Sequence, residues 1–160
     1  MAQVCLLGKD GEQLHYELLS RETAREALAT YDLREPYENT LALSTVSIGA
    51  AVALLNDLNW YVVRFVRDAL VQSDSVSETE WLSRELAAAI RDGDVSPDET
   101  GEYLRLYGLD ENRLVDPIYA RREDVAGEST AGGDPEAAVP EREDYDEVLV
   151  VRVTESEFQP

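Results

Sequence analysis

The chain has one cysteine, one histidine and one lysine among 160 residues. Each scarcity excludes a class of chemistry. A lone Cys5 permits no intramolecular disulfide and no Cys-x-x-Cys redox or zinc motif. It sits in the apolar run Val4-Cys5-Leu6-Leu7, where a thiol is expected to pack as a small hydrophobe. A lone His15 leaves no second imidazole for a His-Glu-x-x-His zinc site, and any histidine-based triad would have to use it. Its neighbours Leu14, Tyr16 and Leu18 alternate with polar residues, so His15 is expected on the solvent face of a strand. There is no glycine-rich phosphate loop and no Gly-x-Ser-x-Gly elbow. No run approaches the roughly 20 apolar residues of a membrane span. Asn39 to Asn56 carries no charge but holds several polar residues, so it is expected to be a buried helix. The start, Met1-Ala2-Gln3, has no basic segment followed by an apolar stretch, so no signal peptide is expected.

Acid is what the chain has in abundance. There are 34 acids against 14 bases, a formal net charge of -20. Thirteen of those bases are arginine, and isoleucine occurs only at positions 48, 90 and 118. In dilute salt such a charge repels itself. In molar salt the Debye length shrinks to about 3 Å, and separated carboxylates hardly sense one another. The composition therefore predicts a cytoplasmic protein adapted to high salt. Nucleic acid is not an expected partner, because phosphate binding needs clustered cations. The only adjacent pair, Arg121-Arg122, is followed by Glu123 and Asp124.

Periodicity and turn chemistry suggest one α+β domain, residues 1–122 with 145–160, interrupted by an acidic Gly/Pro-containing insert at 123–144 that cannot bury enough apolar surface to order itself. Gln3–Leu7 reads as a buried strand, and Leu14–Leu18 as its hairpin partner across Gly8-Lys9-Asp10-Gly11. Helices are expected from Ser20 to about Tyr31, from Ser44 or Thr45 to about Leu55, and from Trp60 to about Val71, the last being the most apolar. Ser77-Glu78-Thr79-Glu80 and Ser96-Pro97-Asp98-Glu99 read as capping boxes for two more helices, closed by Gly93 and Gly108. Ile118–Arg121 and Val148–Val153 read as strands. Strands, then helices, then strands predict a small, mostly antiparallel sheet made by the N- and C-terminal strands, with about five helices on one side.

Carboxylate pairs such as Glu22 and Glu26, or the group Glu78, Glu80 and Glu85, are generic in so acidic a chain and read as solvated faces, the latter favoured by the helix dipole. No metal site and no cofactor is evident. The most specific polar group interrupts the two most apolar segments: Asn56, Asp57, Tyr61, Arg64 and Asp68. Arg64 and Asp68 are spaced to meet on one helix face. This group is either a structural ion network or the binding site of a partner.

Three stretches, Tyr16–Arg25, Pro36–Leu43 and Leu54–Tyr61, resemble an uncharacterised family of small haloarchaeal proteins classed as a domain of unknown function. The resemblance implies a haloarchaeal cytoplasmic origin and implies no activity. The reading that fits the missing catalytic motifs is a non-enzymatic binding or regulatory module that contacts a protein partner or a second copy of itself. The alternative is a small hydrolytic enzyme with an acidic site assisted by a divalent metal such as Mg²⁺ or Mn²⁺.

Self-repulsion makes a direct prediction. Thermal unfolding followed by circular dichroism should show the melting temperature falling as KCl is lowered from molar to millimolar. A melting temperature constant across that range would refute the adaptation.

Overall fold

Ala2–Gly8 is apolar at nearly every position, and this strand, β1, organises the first half of the chain. In the computed structural model, residues 1–125 and 147–158 are described. The chain divides into two compact units, residues 1–78 and 79–160.

In the first unit β1 has an antiparallel neighbour on each edge. β2 (Thr40–Thr45) pairs from Ala2↔Thr45 to Leu7↔Thr40. β3 (Val66–Ser73) pairs from Ala2↔Ser73 onward, with a register shift between Leu7 and Gly8. Cys5, Leu6 and Leu7 are all buried. Successive strand residues point to opposite faces, so both faces of β1 are covered, as a buried strand requires. Around these strands lie α1 (Leu14–Leu19), α2 (Glu22–Leu28), α3 (Ile48–Asp57) and α4 (Asn59–Phe65).

Several expectations are corrected here. Leu14–Leu18 is helix α1, not a hairpin strand: Leu14 and Leu18 are buried one turn apart while Tyr16 points outward. The strand alternation and the helical i, i+4 spacing coincide over so short a stretch. The uncharged segment after Asn39 begins as strand β2, and α3 starts later, where the Ser47 hydroxyl accepts from the Ala50 N–H at 3.0 Å. The expected apolar helix from Trp60 to Val71 is cut in two: α4 ends at Phe65 and β3 begins at Val66. The free edge of β1 captures Val66 to Ser73, overriding local helical preference.

The second unit holds β4 (Trp81–Ser83), β5 (Tyr103–Asp110), β6 (Arg113–Leu114), β7 (Ile118–Arg121) and β8 (Glu147–Val153). β4 pairs with β8 in parallel, and β8 pairs with β5 antiparallel. β6 and β7 pair with the other edge of β5. The sheet is therefore mixed, and interior segments supply much of it. The N- and C-terminal strands are not each other's partners, because both edges of β1 and of β8 are taken. Leu104, Leu106 and Ala120 form a core cluster, with Val148 and Val150 against it.

The first capping box does not open a helix. Ser83 caps α5 (Arg84–Asp92) instead, accepting from the Leu86 N–H at 3.1 Å, and Gly93 closes that helix at φ 81° as expected. The second box forms with both arms but caps only a 3₁₀ turn, Pro97–Glu99. The chain then runs into β5, so Gly108 lies within a strand and closes no helix. Glu111 and Asn112, at φ 50° and 67°, make the two-residue turn to β6, a backbone twist that suits a tight hairpin. The strand at Ile118–Arg121 and the strong C-terminal strand are as expected. Two short helices, α6 (Arg122–Val125) and α7 (Glu155–Phe158), follow β7 and β8. Most of the expected acidic insert lies outside the described residues.

One close approach fixes the end of β1. Gly8 N–H donates to the Asn39 carbonyl at 2.9 Å. Asn39 has φ 57°, its Oδ1 accepts from the Leu14 N–H at 3.0 Å, and its Nδ2 donates to the Lys9 carbonyl at 3.3 Å. A Cβ on Gly8 would fall 2.6 to 2.8 Å from that amide. Gly8→Ala should therefore expel the Asn39 side chain and uncap α1, costing about 1–3 kcal/mol in urea unfolding. A cost below about 0.5 kcal/mol would show that Asn39 moves freely.

Candidate functional site

The predicted site residues fall on three elements of the first unit. Asn56 and Asp57 are exposed at the end of α3, Tyr61 and Arg64 are on α4, and Asp68 is on β3 opposite Leu7. Arg64 and Asp68 thus do not share a helix face, since the backbone turns extended at Val66, φ -110° and ψ 127°. Arg64 folds back on its own helix. Its Nη1 donates to the Trp60 carbonyl at 3.0 Å, and its guanidinium lies 3.7 Å from the centre of the Trp60 ring. Tyr61 meets the same indole edge-on at 5.0 Å.

Tyr61 and Arg64 are therefore brought together, but around Trp60, the first residue of the helix expected to be the most apolar. Trp60 is 48 % exposed and Val63, one turn on, is 59 % exposed. Cations gather around them. Arg21, held by Glu17 at 3.1 Å, lies 5.0 Å from the Phe65 ring and 5.7 Å from Trp60. The chain's single lysine, Lys9, donates from Nζ to the Val63 carbonyl at 2.9 Å. An indole flanked by guanidiniums gains cation–π attraction of about 0.5–1 kcal/mol per exposed contact. The signal of this face in the sequence was weak, because Lys9, Arg21 and Trp60 are far apart along the chain.

The second unit carries an ion network. Glu80 Oε2 accepts from Arg122 Nη1 at 2.8 Å, and Oε1 accepts from Arg122 Nη2 at 2.5 Å and from Arg152 Nε at 2.8 Å. Arg152 Nη1 donates to the Thr100 hydroxyl at 3.0 Å, and Arg122 Nε to the Gly101 carbonyl at 2.9 Å. Gly101, at φ 100°, lies against both guanidiniums. An open depression of about 450 Å³ is lined by Thr100, Gly101, Glu102, Arg122, Glu123 and Arg152. Hydrogen bonds from Arg122, opposed by desolvation and reinforced by Arg152, hold the Glu80 carboxyl below its ordinary range. The same pairing raises the already high pKa of Arg122. The two cations are thus engaged by Glu80 and backbone or hydroxyl oxygens, and Glu102 and Glu123 add negative charge to the rim. This is a structural clasp between the residue that precedes β4, the start of α6, and β8. Glu80 was expected to cap a helix start, and Arg122 drew notice only as half of an adjacent arginine pair followed by acids.

A smaller network closes the C-terminal turn. Glu157 Oε1 accepts from the Ser83 hydroxyl at 2.6 Å and from the Thr154 N–H at 3.0 Å, while Oε2 accepts from Arg105 Nη2 at 3.2 Å. Phe158 contacts the rings of Tyr103 and Tyr119 at 5.0 and 6.3 Å.

His15 is on helix α1, not on a strand, and its Nδ1 lies 2.7 Å from Glu35 Oε1 at an exposed position. Cys5 is fully buried, and burial pushes its thiol up to about 12, the behaviour of a packing residue. Among the described residues, no three His, Cys, Asp or Glu side chains converge as metal ligands. None of the described helices is long and apolar enough to cross a membrane.

The lowered Glu80 pKa has a defined sign. Stability from this carboxylate is fully present above the ordinary glutamate value of 4.5 and is lost as pH falls through the lower folded-state value. Glu80→Gln should cost about 1–3 kcal/mol at pH 7. The gap to the parent, measured by urea unfolding, should close below pH 4.5. A gap independent of pH would place the stabilisation elsewhere.

No curated protein and no solved structure matches the chain. One family does, over residues 2–109, which include all three stretches on which the resemblance rested. That span takes in the whole Trp60 face and Glu80, and ends at β5, before Arg122 and Arg152. The chain belongs to the family of unknown function DUF5804.

Proposed function

We propose that this chain is a non-enzymatic binding module of a high-salt cytoplasm, and that it holds a protein partner through the Trp60 face of α4. The observation that supports this reading is a tryptophan about half exposed, with an exposed valine one turn on, in a chain where acid dominates the surface. Exposing an indole to water forgoes part of the 1.5–3 kcal/mol or so that burying a large side chain yields. Trp, Tyr and Arg are also the residues that most often carry interface energy. Here Trp60, Tyr61, Arg64 and Arg21 sit within one contact network. The partner is either a different protein or a second copy of this chain. The hydrolytic alternative needs a converging donor set, and no observation favours it.

Trp60→Ser with Val63→Ser removes two exposed cation–π contacts and no fully buried side chain, so unfolding free energy should fall by no more than about 1–2 kcal/mol and the fold should persist. The same variant, used as bait in a lysate of the source organism in molar KCl, should lose the proteins that the parent retains by quantitative mass spectrometry. Light scattering should reveal whether the retained species is a second copy. Identical retention by parent and variant would sink the reading.

A further inference from the structure

We infer that the Trp60 face receives an acidic peptide segment, one or two carboxylates beside an apolar side chain, presented by a partner protein. This rests on the binding reading above and names its partner's chemistry. Residues 1–78 contain six cations, Lys9, Arg21, Arg25, Arg34, Arg64 and Arg67, against twelve acids. Three of the six, Lys9, Arg21 and Arg64, contact Trp60, Val63 or Phe65. Positive charge is thus gathered beside the exposed Trp60 and Val63, with one of the three cations, Arg21, paired to Glu17, in a unit whose net charge is negative.

The chemistry of each group fits that ligand. A guanidinium stacked on a ring is pre-organised, and its planar fork matches a carboxylate bidentately. Arg64 stacks on Trp60 at 3.7 Å and spends one Nη1 contact on the Trp60 carbonyl, which leaves donors on the rest of its fork. The indole and Val63 then offer an apolar seat next to the charge. A partner with one or two carboxylates meets these cations within about one Debye length, so part of the attraction survives molar salt, and more of it where the apolar contact excludes water. The repulsion from the distant acids falls off within a Debye length. A nucleic acid strand would bring one phosphate per nucleotide into the field of a chain of net charge -20, with only three cations to meet it.

The test is selection from a random dodecapeptide library on phage, with the intact chain as bait in KCl sufficient to keep its native circular dichroism. Binding of each selected peptide is then measured by fluorescence anisotropy against Trp60→Ser and against Arg21→Gln with Arg64→Gln. Each variant is first shown to keep the parent spectrum. The expected peptides carry Asp or Glu beside Leu, Phe or Trp, and bind both variants about tenfold more weakly or worse. Uncharged or basic peptides that need Trp60 but not the arginines would overturn the acidic partner and leave the binding face standing. Peptides indifferent to Trp60, or no selected peptides at all, would overturn the face as well. Competition by oligo-dT at lower concentration than the free peptide would replace the peptide with a single-stranded nucleic acid.

Discussion

β1 has both of its edges hydrogen-bonded and both of its faces covered, and the first unit is arranged around that fact. A strand so placed needs apolar side chains in both directions, and Val4-Cys5-Leu6-Leu7 supplies them without interruption. It also needs two antiparallel partners that return from opposite sides. These are drawn from segments about 40 and 70 residues along the chain, Thr40–Thr45 and Val66–Ser73. The end of the strand is closed by Asn39, which takes a left-handed backbone and uses its amide to cap α1 and hold the Lys9 carbonyl. The helix at Leu14 therefore starts where it does because β1 stops where it does.

Arginine is used in two ways. Around Glu80, Arg122 and Arg152 make the bidentate and charge-assisted bonds for which a guanidinium is suited. The carboxylate there is held by two cations and a neighbouring hydroxyl accepts from one of them, so the pair is a fastening. Around Trp60, Arg21 and Arg64 lie over rings, and the aromatic surface remains in contact with water. The weak hydration of the guanidinium permits both. Lysine, a compact and strongly hydrated charge, serves neither role here; Lys9 instead ties its ammonium to the backbone of α4.

What was legible in the sequence was largely what local chemistry decides. The first strand, the Gly93 closure, the reciprocal Ser96–Glu99 cap, the strand before Arg122 and the last strand all follow from a few adjacent residues. The errors in the first unit share one cause. Leu14–Leu18 and Thr40–Ser73 are apolar runs whose helix or strand state is settled by distant partners, above all by the two edges of β1. The parallel pairing of β4 with β8 joins segments nearly 70 residues apart and leaves no local mark. For the same reason the site was half legible. Tyr61 and Arg64 stood out as polar interruptions in apolar sequence. Trp60, which they surround, did not stand out, because an aromatic residue is unremarkable at the start of an apolar run. Asp68 was drawn into the group by a helix that ends at Phe65.

The junction between α4 and β3 has no loop: Phe65 is the last helical residue and Val66 the first of the strand. With no slack between them, the helix is mounted on the strand like a blade on a shaft. Its azimuth is set by the alignment of β3 along β1, including the register shift at Leu7 and Gly8. A slip of one residue there would invert the side chains of β3 and swing the indole to another bearing. The aim of the Trp60 face is thus written into a backbone ladder whose other strand, β1, lies well away from it in the sequence.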